Sequence, residues 1–171
     1  RQASVAGWNR FWFAPTDPAT LGLIRLFGGA MIFYTHLVWS IDLLGFFGPQ
    51  GRITEEFARS FYGDSPFAFS YLFWINSPAM LWTVHIVGLI ILAMFALGLF
   101  TRITSVLTFL IAVSYMHRVA GALFGLDQIN GLLALYLMVG PAGAAYSLDN
   151  LLARNAKVDS IPPWLRRTRG H

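Results

Sequence analysis

The fold is decided by the stretch from Met80 to Phe100, which reads MLWTVHIVGLIILAMFALGLF. Its only strongly polar residue is His85, and the pair Ser77–Pro78 just before it is a typical helix start. A helix of about 20 apolar residues is long enough to cross a bilayer core of about 30 Å. The sequence therefore predicts a membrane-spanning helix in this region.

The composition of the 171-residue chain agrees with a membrane location. Apolar residues make up 56% of the chain and charged residues 12%, about half the charged share of a typical soluble domain. The chain has no cysteine, which excludes disulfides, thiolate catalysis and Cys-ligated metal sites. The sequence also lacks the glycine-rich fingerprints of nucleotide-binding loops. We therefore predict an integral membrane protein of the all-α class.

Three more apolar stretches are candidate spans. Asp17–Pro18 provides a helix start for the first, and Gly140–Pro141 ends the last. The four predicted spans cover Ala19 to about Leu44, Met80 to Phe100, Ile103 to about Met116, and about Leu126 to Val139. We expect these helices to form a four-span, four-helix membrane bundle over residues 17–145.

The segments outside the spans have the composition of membrane interfaces. Within residues 50–76, Ile53, Phe57 and Phe61 recur every four residues opposite charged side chains, which predicts an interfacial amphipathic helix. Ser147 is a candidate cap for another short helix near the end of the chain. We expect residues 1–16 and 146–171 to be juxtamembrane segments, the second of them basic.

Basic residues predict the orientation of the chain. Four spans put both termini on one side of the membrane, and that side collects eight basic residues against three on the other. The eight are Arg1, Arg10, Arg102, Arg154, Lys157, Arg166, Arg167 and Arg169, and the three are Arg52, Arg59 and Arg118. By the positive-inside rule both termini are expected in the cytoplasm. This distribution favours membrane lipid, and not nucleic acid, as the partner of the basic residues.

Polar residues of different spans are predicted to gather at the non-cytoplasmic end. They are His36, His85, His117, Asp127, Gln128 and Asn130. Such residues are costly inside a membrane, so their convergence indicates a candidate site. His36, His85, His117 and Asp127 are candidates for proton transfer, and His36, His85 and Asn130 for binding a cofactor such as a quinone. The alternative is a set of structural hydrogen bonds near helix ends. A haem or metal site is disfavoured because no helix carries a paired histidine spacing.

Arg25 is the remaining intramembrane charge and a further candidate cofactor-binding residue. It shares a helix face with Gly29 and His36, eleven residues later. The guanidinium either extends to the cytoplasmic headgroups or is buried against a cluster of carbonyls or an acidic group. The sequence leaves both alternatives open.

Six short motifs follow one another along the chain: Phe13-Ala-Pro-Thr-Asp-Pro18, Leu23-Ile-Arg25-Leu-Phe-Gly28, Gly98-Leu-Phe-Thr-Arg102, Asn130-Gly-Leu-Leu133, Tyr146-Ser-Leu-Asp149-Asn-Leu-Leu152 and Pro162-Pro-Trp164. In this order they resemble the horizontally transferred transmembrane (HTTM) family, the membrane domain shared with vitamin K-dependent gamma-carboxylases. The resemblance implies a helical membrane domain with a cytoplasmic start. In the carboxylases the catalytic lysine lies on a later membrane helix, which would follow Trp164. The carboxylases also have a functional histidine just before their counterpart of Gly131, where this sequence has Leu126, Asp127 and Gln128.

Three functions are compatible with these observations. The leading hypothesis is an HTTM-type scaffold or accessory subunit of a larger membrane assembly, with a pocket for a quinone or lipid. The alternative is the front part of a carboxylase-like or quinone-linked enzyme that uses the histidines and Asp127. A transporter or channel comes third, because the second to fourth spans have almost no ionisable residue at mid-depth.

Overall fold

The computed structural model describes residues 17–63, 65 and 68–155, and all regular structure within them is helical. The helices are α1 (Pro18–Trp39), α2 (Leu43–Phe47), α3 (Glu55–Ser60), α4 (Pro78–Leu97), α5 (Thr101–Arg118), α6 (Gly125–Val139) and α7 (Leu148–Asn155). Short 3-10 turns lie at Ser40–Asp42, Tyr71–Trp74 and Ala120–Ala122. The all-helical class is thus confirmed for these residues.

The long helices begin and end where local chemistry requires. Asp17 accepts a hydrogen bond from Ala19 N at 2.9 Å, and Pro18 occupies the first position of α1. Helix α4 ends at Gly98, whose φ of 73° lies in the left-handed region that glycine adopts without strain. Each of the four predicted spans therefore corresponds to a long helix. The first differs from the prediction of one run to about Leu44, because α1 ends at Trp39 and a 3-10 turn joins it to α2.

Two helical segments are long and apolar enough to cross a membrane within the described part of the chain. They are Pro18–Phe47, in which a 3-10 turn joins α1 and α2, and Pro78–Leu97. Helix α5 is rich in hydroxyl side chains and α6 has only fifteen residues.

The four longer helices pack side by side. Helix α1 contacts α4 and α6, and α5 also contacts both α4 and α6. At one end lie the start of α1, the end of α4, the start of α5 and the end of α6, and we call this the Arg25 end. The opposite end, with the end of α1 and the start of α6, is the His36 end.

Helix α5 turns its polar side chains inward. Thr101, Thr104, Ser105 and Thr108 are all buried against the neighbouring helices. Apart from Arg102 in the first turn, its outward side chains are largely apolar and include Ile103, Val106 and Leu110, which are 55%, 42% and 38% exposed. The helix thus presents to its surroundings a surface that is more apolar than its composition suggests.

The connection between α2 and α4 contains the predicted short helix, α3, but the three apolar residues expected on one face do not share it. Thr54 caps α3 by accepting from Phe57 N at 3.2 Å. Ile53 therefore precedes the helix and is buried, whereas Phe57 and Phe61 are half exposed and stack on each other. The predicted alignment of Ile53 with the two phenylalanines is wrong, because the helix begins only at Glu55.

The predicted helix cap at Ser147 is confirmed. Ser147 Oγ accepts from Asn150 N at 3.0 Å, at the start of α7. The expected juxtamembrane residues 1–16 and 156–171 lie outside the described residues.

Candidate functional site

His85 lies in a buried hydrogen-bond network at the His36 end. Its Nε2 atom is 2.8 Å from Ser40 Oγ, and its Nδ1 atom is 2.6 Å from the Tyr115 hydroxyl. The side chain is only 1% exposed. Both ring nitrogens are therefore engaged by groups of the chain itself, which ties the end of α1 to α4 and α5.

His36 packs against the same tyrosine. The centroids of its ring and the Tyr115 ring are 4.8 Å apart in an edge-on arrangement. His36 Nδ1 lies 2.8 Å from the Ile32 carbonyl oxygen. A carbonyl can only accept, so Nδ1 carries the proton and Nε2 is left as an acceptor.

Asn130 approaches His36 from α6. Its amide Nδ2 donates to Thr35 Oγ1 at 3.3 Å, while the Thr35 hydroxyl itself donates to the Ile32 carbonyl at 2.8 Å. Because the Thr35 proton is used, this hydroxyl can only accept from Asn130, and the amide orientation is fixed. Asn130 Oδ1 and His36 Nε2 are buried and have no hydrogen-bond partner among the described residues.

Asp127 and His117 have different surroundings. Asp127 lines a small cavity together with His36 and Asn130, and its carboxylate accepts from Phe124 N at 3.0 Å, as in a helix start. His117 Nδ1 donates to the Phe69 carbonyl at 2.7 Å. The structure therefore brings His36, Asp127 and Asn130 to one cavity and does not bring His117 to it.

His117 also stacks on an aromatic residue of the α3–α4 connection. Its ring centroid is 5.0 Å from that of Tyr62. Partial burial raises the pKa of the Tyr62 phenol above its ordinary value, so the phenol is neutral near pH 7. This ring pair holds the connection against the end of α5.

Arg25 is fully buried at the opposite end of the molecule. Its guanidinium donates to the Ala142 carbonyl at 2.8 Å and to the Tyr146 carbonyl. Of the two alternatives left open by the sequence, the carbonyl cluster is the one observed. Arg25 and His36 thus share a helix face but lie in separate networks.

Asp149 completes the Arg25 end by capping α5. Its carboxylate accepts from Phe100 N at 2.7 Å and from both Thr101 N and Thr101 Oγ1 at 2.8 Å. Its own amide donates to the Gly98 carbonyl at 3.0 Å. The segments Gly98–Arg102 and Tyr146–Leu152, which both carry the family resemblance, are therefore hydrogen-bonded to each other.

Arg118 has a role that the sequence did not reveal. It was counted among the charges of the non-cytoplasmic side, but it is 3% exposed and donates to the Ile53 carbonyl at 2.8 Å. A second contact reaches the Phe47 carbonyl at 3.4 Å. Arg118 therefore fixes the connection after α2, and only its position at the end of a helix could have suggested this.

The cavity at His36 does not fit a quinone. Its volume is about 10 Å³, roughly the space that one water molecule needs, and a quinone ring is much larger. A quinone carbonyl also requires a hydrogen-bond donor, whereas His36 Nε2 and Asn130 Oδ1 both accept. Within the described residues no group of three or more His, Asp or Glu side chains is arranged to hold a metal ion.

A helical architecture with two segments long and apolar enough to cross a membrane fits a membrane domain, and a family comparison identifies which one. The model of the HTTM domain matches residues 13–168. Since this match covers nearly the whole chain, the chain belongs to the HTTM family, as its motifs predict. The family relates it to carboxylase-like membrane proteins. Comparisons with curated proteins and with solved structures give no match.

Proposed function

We propose that this chain is a four-span HTTM scaffold that serves as an accessory subunit of a larger membrane assembly. Both termini and the basic C-terminal segment face the cytoplasm, and the connections at the His36 end and helix α3 lie at the opposite membrane surface. The assembly's other subunits are membrane proteins, and lipid surrounds the remaining surface. The proposal rests chiefly on where the polar groups point.

The outward surface of all four long helices supports the four spans. Exposed side chains on α1, α4, α5 and α6 are largely apolar and include Phe27, Tyr34, Ile86, Ile90, Ile103, Val106, Ile129 and Leu132. Polar side chains of α5 point inward instead. Such an arrangement suits hydrocarbon as the surrounding medium.

The use of the polar residues supports a structural role. Both ring nitrogens of His85 are bonded within the chain, and Arg25 and Arg118 bind backbone carbonyls. Catalytic groups need a free atom that faces a substrate. Of the candidate residues, His85 has no such atom and Arg25 is turned to backbone carbonyls, and this single observation favours a scaffold over an enzyme.

An open groove between α1 and α6 supports a lipid-binding role for the scaffold. Its volume is about 470 Å³, and Leu23, Ile24, Phe27, Met31 and Leu133 line it. These side chains suit an acyl or prenyl chain, including the tail of a quinone. We propose that the groove, and not the His36 cavity, holds such a chain.

The absence of cysteine makes the topology directly testable. Single cysteines at Gln50, Arg102, Phe124 and Pro141, all exposed and all in or next to the connections between helices, would be treated in intact cells with a membrane-impermeant maleimide. Four spans predict labelling of Gln50→Cys and Phe124→Cys from outside, and of the other two only after permeabilisation. If only α1 and α4 cross, all positions after α4 lie on one side, and Phe124→Cys is protected in intact cells.

The subunit role is tested by purification in mild detergent from the native membrane. We expect a particle larger than the 19.1 kDa chain with companion membrane proteins at fixed stoichiometry. A monodisperse species at the mass of the single chain contradicts the accessory role, whatever the result of the labelling.

One observation favours the enzyme alternative. His36 Nε2 is buried and has no partner in the described part of the chain, and His36 lines the same cavity as the carboxylate-bearing Asp127, as a proton acceptor would. Carboxylase and quinone-reductase assays on the native assembly, with His36→Phe and His85→Phe variants, test it. Activity that survives both substitutions in a folded assembly removes the histidines from any catalytic role.

A further inference from the structure

Two hydrogen-bond acceptors without donors share one buried cavity at the His36 end. His36 and Asn130 are 6% and 2% exposed, and neither His36 Nε2 nor Asn130 Oδ1 has a partner among the described residues. Both atoms belong to residues that line the same cavity. A buried acceptor that loses its water without gaining a donor costs about 1–3 kcal/mol, so two such residues on one cavity call for a donor within it.

The rest of the network cannot supply that donor. Ile32 O accepts from both His36 Nδ1 and the Thr35 hydroxyl, and the Thr35 oxygen accepts from the Asn130 amide. These bonds fix the His36 tautomer and the Asn130 amide so that acceptors remain in the cavity. Asp127, which also lines it, contributes a carboxylate, which is another acceptor when ionised.

We propose that this cavity is a binding site for a single hydroxyl donor. A hydroxyl group with one proton donates to either His36 Nε2 or Asn130 Oδ1, whereas a water molecule donates one hydrogen bond to each. The volume of about 10 Å³ admits one oxygen atom with its hydrogens and excludes a ring or a chain. The two sources of such a donor are water and the hydroxyl of a lipid that reaches in from the membrane. This inference goes beyond the scaffold function and does not depend on it.

Solid-state NMR of the full chain in proteoliposomes tests the site. The four histidines are labelled with ¹⁵N, and the His36 resonances are identified by their loss in His36→Phe. We expect a protonated Nδ1 and an unprotonated Nε2 whose resonance is displaced from the free-acceptor position by a hydrogen bond. Magnetisation transferred to Nε2 from water identifies water as the donor, and transfer from lipid protons identifies a lipid hydroxyl.

A matched pair of variants on α6 tests the role of the cavity. Asn130→Leu removes one acceptor and fills the space, so we expect the Nε2 resonance to move to the free-acceptor position. Ile129→Leu, at the adjacent exposed position, should leave it unchanged. A free-acceptor resonance in the unaltered chain, or a proton on Nε2, overturns the proposal even if Asn130→Leu fails to fold. Loss of the subunit role by other tests would leave these spectra unaffected.

Discussion

Substitution of Asp149 by alanine should destabilise the protein far more than loss of an ordinary helix cap. The carboxylate is 6% exposed and accepts three hydrogen bonds, one from Phe100 N and two from Thr101. Thr101 is itself 4% exposed, so water cannot replace the lost acceptor at its amide and hydroxyl. Each buried donor left unpaired costs about 1–3 kcal/mol. We therefore expect a loss of about 3–5 kcal/mol in the free energy of unfolding, as for a broken buried ion pair.

The chain contains its own control for this prediction. Asp17 caps α1 with one hydrogen bond to Ala19 N in an exposed position, and an exposed cap contributes about 1 kcal/mol. Asp149→Asn keeps one acceptor oxygen and should fall between the two alanine variants. From the smallest to the largest destabilisation, the expected order is therefore Asp17→Ala, Asp149→Asn and Asp149→Ala.

The measurement is reversible unfolding in mixed micelles with increasing sodium dodecyl sulfate. Fluorescence of the six tryptophans gives the unfolded fraction, and linear extrapolation gives the free-energy differences. If Asp149→Ala lowers the free energy of unfolding no more than Asp17→Ala does, the hydrogen bonds between α5 and the start of α7 do not stabilise the fold, and the reasoning from burial fails.

Two further substitutions test the other networks in the same assay. Arg25→Lys should lower the free energy of unfolding by about 2–4 kcal/mol, because an ammonium cannot reach the separate carbonyls that the guanidinium binds. Arg102→Lys, at an exposed position, is the control. Equal losses in the two variants would contradict the buried carbonyl cluster. Tyr115→Phe should cost about 1–2 kcal/mol by removing the hydroxyl bonded to His85 Nδ1. Tyr136→Phe, at a 71% exposed position, should change nothing, so a similar effect of the two tyrosine substitutions argues against the network.

The helices could be predicted from the sequence because their limits depend on nearby residues. Asp17–Pro18 begins α1, Ser77–Pro78 begins α4 and Gly140 follows the last residue of α6. These signals act through backbone groups within one turn, so no knowledge of the packing is needed. The clustering of His36, Asp127 and Asn130 followed from the alternation of helix direction alone.

The hydrogen-bond partners could not be predicted in the same way. His85 binds Ser40 and Tyr115, which lie 45 and 30 residues away along the chain, and Asp149 binds Thr101 from 48 residues away. Such contacts depend on how each helix is rotated and how deep it sits, which local periodicity does not determine. For α5, the spacing of Thr101, Thr104, Ser105 and Thr108 marks one face, but that this face is the inner one is a result of packing.

The two buried arginines satisfy backbone carbonyls at opposite ends of the molecule. In a membrane, backbone carbonyls outside regular helices find no water and must be satisfied by the protein. Arg25 serves the carbonyls of the connection after α6, and Arg118 serves those that follow α2. Each guanidinium offers several donors in a planar fork, which suits carbonyls that converge from a turn. An apolar chain that keeps only these two cations buried among its described residues therefore uses them to close its connections. The two acceptors of the His36 cavity are among the buried polar atoms that still lack a partner in this part of the chain.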